Sequence, residues 1–566
     1  MRYIFIFLLI TIAATTSAQK INISDAKLKS IDSIVQSKYK SDEPGISYQI
    51  VQGNKVLANK SYGMAELELG VPLNNENVFA IGSISKQFTA IAMLKLVEQG
   101  KVSLKDDIKK HIPNYNTHSK LITIENLLAH TSGILSFTEM QGFFELNGID
   151  KNPEEIRKTF EDSALLFNPG SNWSYSNSGF FLAGYIIEKV SGMSYEDFLK
   201  KELFEPAGMS NTTFGSNSAL IKNRAHGYDP GDDDNYFKAG HHSWNWPRGA
   251  GNIMSTTGDM VKWNNALRDG KIIKKELLKL AHTSQKLNDG RLTNYGLGWG
   301  VNKIANKTII THGGAISGYL ADAARIEEDD VYIVMLTNTT AKSVSDVLSK
   351  SISILLDIPM GDPKETKIAQ DFESLPGVYE VNYVGGRVTS NSGKEKIYRT
   401  VTYENNTLYI QRTGGSKIEL RPYHHDSFYI KGGSQRFVFK RDKKNKVIAL
   451  DVCTYPLQFG PNDYGLRTNL EIPKAAVEIK VANEVLKKYI GTYELVPGFN
   501  IDISVDGNQI YAQATGQGKF EIFAKSNTSF FAKIADIQID FNADEQGNIK
   551  SLTLTQGRKM EAKKIK

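Results

Sequence analysis

The sequence predicts an α+β amino-terminal domain followed by two small antiparallel β-barrels or sandwiches. Three observations carry this reading. From about residue 20 to residue 360, strand-like and helix-like stretches alternate, with strands near both ends and helices in the middle. Beyond the linker, short period-two strands separated by turns take over. Those strands then recur as a second copy of the same pattern, the mark of a repeated domain. A chain of 566 residues exceeds what one hydrophobic core usually spans, so several domains are expected.

Taken in order, residues 1–18 read as an export leader. Arg2 gives a short basic start, Ile4 to Ile12 is almost wholly apolar, and Thr16-Ser17-Ala18 ends in small residues, which predicts cleavage after Ala18. No later apolar run reaches the roughly 20 residues of a membrane span. The expected location is therefore the periplasm or the exterior. Residues 19–361 form the first domain. A hairpin is expected from Tyr48–Val51 to Lys55–Ala58 around Gly53-Asn54, then helices near residues 86–99, 124–129, 179–190, 195–203 and 258–267. Thr308 to His312 and Val331 to Asn338 read as buried strands, and residues 344–356 as the closing helix.

Residues 362–372 are polar, charged and proline-bearing, and read as a linker. The repeats occupy 373–472 and 473–566. Leu375-Pro376-Gly377-Val378-Tyr379-Glu380 recurs as Tyr489-Ile490-Gly491-Thr492-Tyr493-Glu494, and Thr407-Leu408-Tyr409-Ile410-Gln411 as Gln509-Ile510-Tyr511-Ala512-Gln513. A longer insertion near Gly385 to Lys394 in the first copy explains why the two matches differ in spacing. The repeats carry no evident chemistry, and a structural or substrate-limiting role fits them best.

Composition narrows the function classes. With 40% hydrophobic and 23% charged residues, the chain is that of an ordinary folded protein. Its single cysteine, Cys453, cannot pair internally, so an exported fold would stand without disulfides. The formal charge of +6 is spread along the chain with no basic stripe, which argues against nucleic acid as a partner.

Three short elements carry chemistry: Ser83-Ile84-Ser85-Lys86, Tyr175-Ser176-Asn177 and His312-Gly313-Gly314. Ser-x-x-Lys also occurs at Ser17/Lys20, Ser24/Lys27 and Ser37/Lys40, but only Ser83 follows an apolar strand-like stretch and opens a helical run. A serine there meets the orphan N–H groups and positive dipole of a helix start, which favour a developing oxyanion. Residues three apart share a helix face, so Lys86 can reach the Ser83 hydroxyl. A lysine screened from water loses proton affinity and becomes a base.

Together these elements resemble the serine β-lactamase and penicillin-recognising family, in its class C-like branch of D-aminopeptidases, DD-carboxypeptidases and esterases. Leu127-Leu128-Ala129-His130-Thr131-Ser132-Gly133, Asn168-Pro169-Gly170, the run from Gly251 to Asp259, and Tyr295-Gly296-Leu297-Gly298-Trp299 are similar to further motifs of that family. The resemblance implies a β-lactamase/transpeptidase-like first domain, with lipocalin-like barrels behind it. It implies Ser83 as nucleophile and Lys86 and Tyr175 as the proton-transfer pair, with the Tyr175 phenol lowered by a nearby ammonium. Asn177, His312 and Gly314 would orient substrate, and the backbone N–H groups of Ser83 and Ala315 would form the oxyanion hole. No metal and no cofactor are expected.

One departure bears on substrate. Many relatives carry Lys-Thr-Gly where this chain has His312-Gly313-Gly314, and a neutral imidazole attracts a substrate carboxylate weakly. The expectation is an exported hydrolase of amide or ester bonds in small molecules or peptides, cell-wall derived ones included. A class C-like β-lactamase and a non-catalytic acylating sensor of the same fold are the alternatives. The stretch Trp244 to Arg248 reads either as a substrate-binding lip or as packing. The aspartates at 229 and 232–234 read as a solvated loop.

Overall fold

A computed structural model describes residues 20–231, 235–359, 361–363, 371–382, 397–454, 457, 463–473, 477–496 and 498–566. The expected leader, Asp232 to Asp234, most of the linker and the insertion near Gly385 lie outside the described residues.

The first domain is built on one antiparallel sheet. Helix α1 (Asp25–Lys38) leads into strands β1 (Ile46–Gln52) and β2 (Lys55–Tyr62), joined at Gly53, whose φ of 58° suits the tight turn. The middle of the chain supplies helices α2 (Ser85–Glu98), α3 (Asn177–Ser191), α4 (Thr257–Arg268) and α5 (Lys275–Ala281). The chain then returns as β3 (Gly300–Ile304), β4 (Lys307–Ile316), β5 (Tyr319–Ile326) and β6 (Val331–Thr337), closed by α6 (Val344–Leu355). The sheet order is β3-β4-β5-β6-β1-β2, so the first hairpin pairs with the last strand and the domain's two ends meet.

Each face of the sheet buries its own core. On one side α1 and α6 supply Ile31, Val35, Val347, Leu348 and Ile352 against Ile50, Ile333 and Met335. On the other, α2 is buried on nearly every side, with Phe88, Ile91, Met93 and Leu94 fully covered. A helix apolar all round belongs inside a domain rather than on its surface. α2 is thus the axis around which the helical middle packs, and Ser83 stands at its entry.

The two repeats are both closed eight-stranded antiparallel barrels. In the first, Tyr379 of the first strand pairs with Arg467 of the last, and in the second, Tyr493 pairs with Lys564. Closure removes the unpaired edges that an open sheet exposes. The copies share a detail: Tyr379 donates to the Leu375 carbonyl at 2.6 Å and Tyr493 to the Tyr489 carbonyl at 2.8 Å. Cys453 is partly buried on a strand of the first barrel.

Candidate active site

Ser83 lies in a single 3-10 turn, Gly82–Ile84, just before α2. β3 pairs with β4 only as far as Thr311, and residues 312–316 of β4 run on beyond that pairing to face this turn. The approach is close. A β-carbon on Gly314 would sit 2.0 Å from the Ile81 carbonyl oxygen and 3.1 Å from the Ser83 nitrogen. Gly82, at φ 49°, would place one 2.7 Å from the Ala315 nitrogen. Only glycines fit this contact, and it brings the backbone N–H groups of Ser83 and Ala315 to the same mouth.

Lys86 is fully buried. Its ammonium nitrogen lies 3.0 Å from Ser83 Oγ, 2.8 Å from Asn177 Oδ1 and 2.8 Å from the Ala250 carbonyl oxygen. No carboxylate pairs with it among the described residues. Burial therefore pushes its pKa well below the ordinary lysine range. Ala250 reaches Lys86 through the loop before it. There Arg248 pairs with Glu188 and Glu196, and Trp246 Nε1 donates to the Ile149 carbonyl. Trp244, Trp246 and Arg248 are buried and pack to set this loop.

Asn177 opens α3 and is held from behind by the loop at 136–138. Its backbone N–H donates to Ser136 Oγ at 3.1 Å and its amide to Thr138 Oγ1 at 3.2 Å, which aims Oδ1 at Lys86. Tyr175 bonds Ser83, and its ring centroid lies 4.7 Å from Lys86 Nζ. Its phenol is raised, not lowered as the sequence led us to expect. Burial is the main cause and the Ser83 bond offsets only part of it.

His312 is buried and both ring nitrogens are engaged. Nδ1 donates to the Gly313 carbonyl at 2.6 Å, so Nε2 accepts from the Tyr295 hydroxyl at 2.9 Å. Burial, helped by nearby Lys86, lowers its pKa to about 3. Tyr295 was noticed in the sequence only as part of a motif. So was His130, whose left-handed backbone, φ 60°, seats its ring 4.3 Å from that of Tyr175. His130 Nδ1 accepts from the Ser176 N–H at 3.0 Å, fixing the turn that carries Tyr175 and Asn177. Both residues act over long sequence separations, which no local pattern encodes.

The groove holding Ser83, Tyr175, His312 and Gly314 encloses about 1170 Å³ and runs on to Ser434 and Arg436 of the first barrel. Asp322, beside Gly313 in the β4–β5 register, lines it too, with a carboxyl raised by burial to about 6. Elsewhere, Asp229 is not solvated: its carboxylate accepts from the Gly318 N–H and the Ser317 and Thr340 hydroxyls.

The family model described as Beta-lactamase matches residues 31–351, more than half of the chain. The chain belongs to the beta-lactamase family. A second match, Domain of unknown function (DUF3471), covers residues 475–565, the second barrel. Over 412 residues this beta-lactamase-family protein is 28% identical to Penicillin-binding protein 4* of Bacillus subtilis, spanning 69% of this chain and 88% of that one. It is 28% identical to Protein flp of Staphylococcus aureus over 322 residues, 56% of this chain and 63% of that one. In fold it is similar to the octameric penicillin-binding protein homologue from Pyrococcus abyssi. There the TM-score is 0.54 at 24% identity, over 77% of this chain and 99% of that one. A D-stereospecific amidohydrolase from Streptomyces sp. aligns with TM-score 0.50 at 24% identity, over 58% of this chain and 98% of that one. The serine β-lactamase/transpeptidase-like fold of the first domain follows, and with it membership of a serine hydrolase family. Among the described residues no helix is long and apolar enough to cross a membrane.

Proposed function

We propose that this protein is an exported serine hydrolase that cleaves amide or ester bonds through an acyl-enzyme on Ser83, in the manner of D-aminopeptidases, DD-peptidases and esterases. The observation that carries the reading is Lys86: buried, without a carboxylate partner among the described residues, and 3.0 Å from Ser83 Oγ. A buried amine whose proton affinity burial lowers, at hydrogen-bond distance from a hydroxyl, is suited to act as its base.

The steps follow from the geometry. Lys86 takes the Ser83 proton as Oγ bonds to the substrate carbonyl carbon, and the carbonyl electrons move to oxygen. The N–H groups of Ser83 and Ala315 face that oxyanion; loss of one such donor typically costs about 3–4 kcal/mol. Collapse breaks the bond to the leaving group, which takes the Tyr175 proton, and Lys86 returns one to the phenol. Water then repeats the sequence in reverse and frees Ser83. His312, neutral and pinned, offers no cation to a substrate carboxylate, which favours amides and esters over β-lactams. The first barrel borders the groove, which supports a substrate-limiting role for it.

The experiment is fluorophosphonate labelling with intact mass, followed by a screen of p-nitroanilides and p-nitrophenyl esters of D- and L-amino acids. One adduct per chain, lost in Ser83→Ala together with turnover, is expected. Turnover that survives Ser83→Ala would overturn the reading.

A further inference from the structure

A second cavity, of about 790 Å³, lies behind the catalytic helix and shares no lining residue with the catalytic groove. It opens between α4, α5 and the outer strands of the sheet. Its walls include the indoles of Trp263 and Trp299, both almost wholly buried.

The charge around it is one-sided. Six lining side chains are cationic, Arg268, Lys275, Lys279, Lys286, Lys303 and Arg325, against Glu327 alone. Asp330 answers the two arginines, and Glu327 holds His282 Nδ1 at 2.9 Å. The four lysines are exposed and make no ion pair among the described residues. Leu292, 51% exposed, stands among them at the rim.

Apolar walls and a ring of exposed lysines that make no ion pair among the described residues together describe a ligand with an apolar body and an acidic group.

We propose that this cavity binds an amphipathic organic anion, its apolar body against Trp263 and Trp299 and its acidic group among Lys275, Lys279, Lys286 and Lys303. The site is independent of the chemistry at Ser83 and stands whether or not that serine is acylated.

The test titrates the full chain with 8-anilinonaphthalene-1-sulfonate, following dye emission and quenching of tryptophan emission. Saturable binding is expected. Lys279→Glu combined with Lys303→Glu should raise Kd by about tenfold or more, and added salt should weaken binding. The uncharged N-phenyl-1-naphthylamine should bind more weakly by a similar factor. Lys350→Glu, on the catalytic groove, should leave Kd unchanged. Thermal unfolding checks that each variant is folded, and Lys275→Glu with Lys286→Glu serves as a second pair with the same expected loss. Absence of saturable binding, equal affinity for the uncharged dye, or an equal loss in Lys350→Glu would overturn the proposal.

Discussion

Gly314 lies against Ile81 so closely that a β-carbon on it would come within 2.0 Å of the Ile81 carbonyl oxygen. The neighbouring Gly313 is different: a β-carbon there meets Asp322 Oδ2 at 3.6 Å, an ordinary contact. Of the two adjacent glycines, only Gly314 is required by space. Gly314 sets the distance between the Ser83 turn and β4, and hence between the Ser83 and Ala315 N–H groups proposed as the oxyanion hole.

That contrast gives the first prediction. Gly314→Ala should lower kcat/KM by about a hundredfold or more, because pushing β4 away removes one oxyanion donor. Gly313→Ala should stay within about tenfold of the parent. The measurement is ester hydrolysis for both variants, with melting temperatures to confirm folding. Equal losses in the two would show that the close contact does not set the catalytic geometry.

Lys86 gives the second. Its pKa is depressed in the folded state and ordinary in the unfolded chain, so between those two values the unfolded chain binds more protons. Stability from this group is therefore lowest at low pH and rises with pH across that window, by at most about 1.4 kcal/mol per unit. Lys86→Met should lack that slope, so urea unfolding of parent and variant should converge or cross as pH rises. Activity should show the same dependence, rising with pH as the amine loses its proton. Lys86→Arg should be inactive throughout, because a guanidinium does not give up its proton. A parent and variant whose stabilities run parallel with pH would mean that Lys86 is charged in the folded protein.

Tyr175 gives the third. With its phenol raised by burial, no phenolate should be present at neutral pH, and the parent minus Tyr175→Phe ultraviolet difference spectrum should lack a tyrosinate band. Tyr175→Phe and Lys86→Ala should each cost several orders of magnitude in kcat, and the double variant little more, as for groups that move one proton between them. A tyrosinate band near neutral pH would restore the phenolate as the base. Log-additive losses would separate the two groups.

The sequence carried the local part of this molecule well. The β1–β2 hairpin, α2, α3 and α6 followed from periodicity and turn residues, and the pair of all-β domains from the repeat. Barrel closure was less accessible, because Tyr379 finds Arg467 across the whole first repeat. At the site, the motif residues Ser83, Lys86, Tyr175 and Asn177 were legible and the structure brings them together. Their electrostatics were not. Whether Lys86 or Tyr175 carries charge depends on tertiary burial and on the absence of a nearby carboxylate, which spacing along the chain does not express. The supports, His130, Tyr295 and the Ala250 carbonyl, act across folds of the chain for the same reason.

His312 gives the last prediction. Its imidazole is pinned between Tyr295 and the Gly313 carbonyl, and with a pKa of about 3 it stays neutral across the working range. A histidine with an ordinary pKa of about 6.5 would gain charge as pH falls and attract carboxylates increasingly below that value. Here KM for a cephalosporin should therefore stay flat from about pH 8 to pH 5, apart from any change shared by an uncharged ester. Tyr295→Phe removes the bond to Nε2 and leaves Nδ1 on the carbonyl, so it should disturb KM for both substrate types equally. His312→Lys places a cation where the imidazole stood and should lower KM for the cephalosporin relative to the ester by up to about tenfold, less at high salt. A cephalosporin KM that falls through the ordinary histidine range in the unmodified protein would show that His312 is free to protonate, and the substrate reading would then move toward β-lactams.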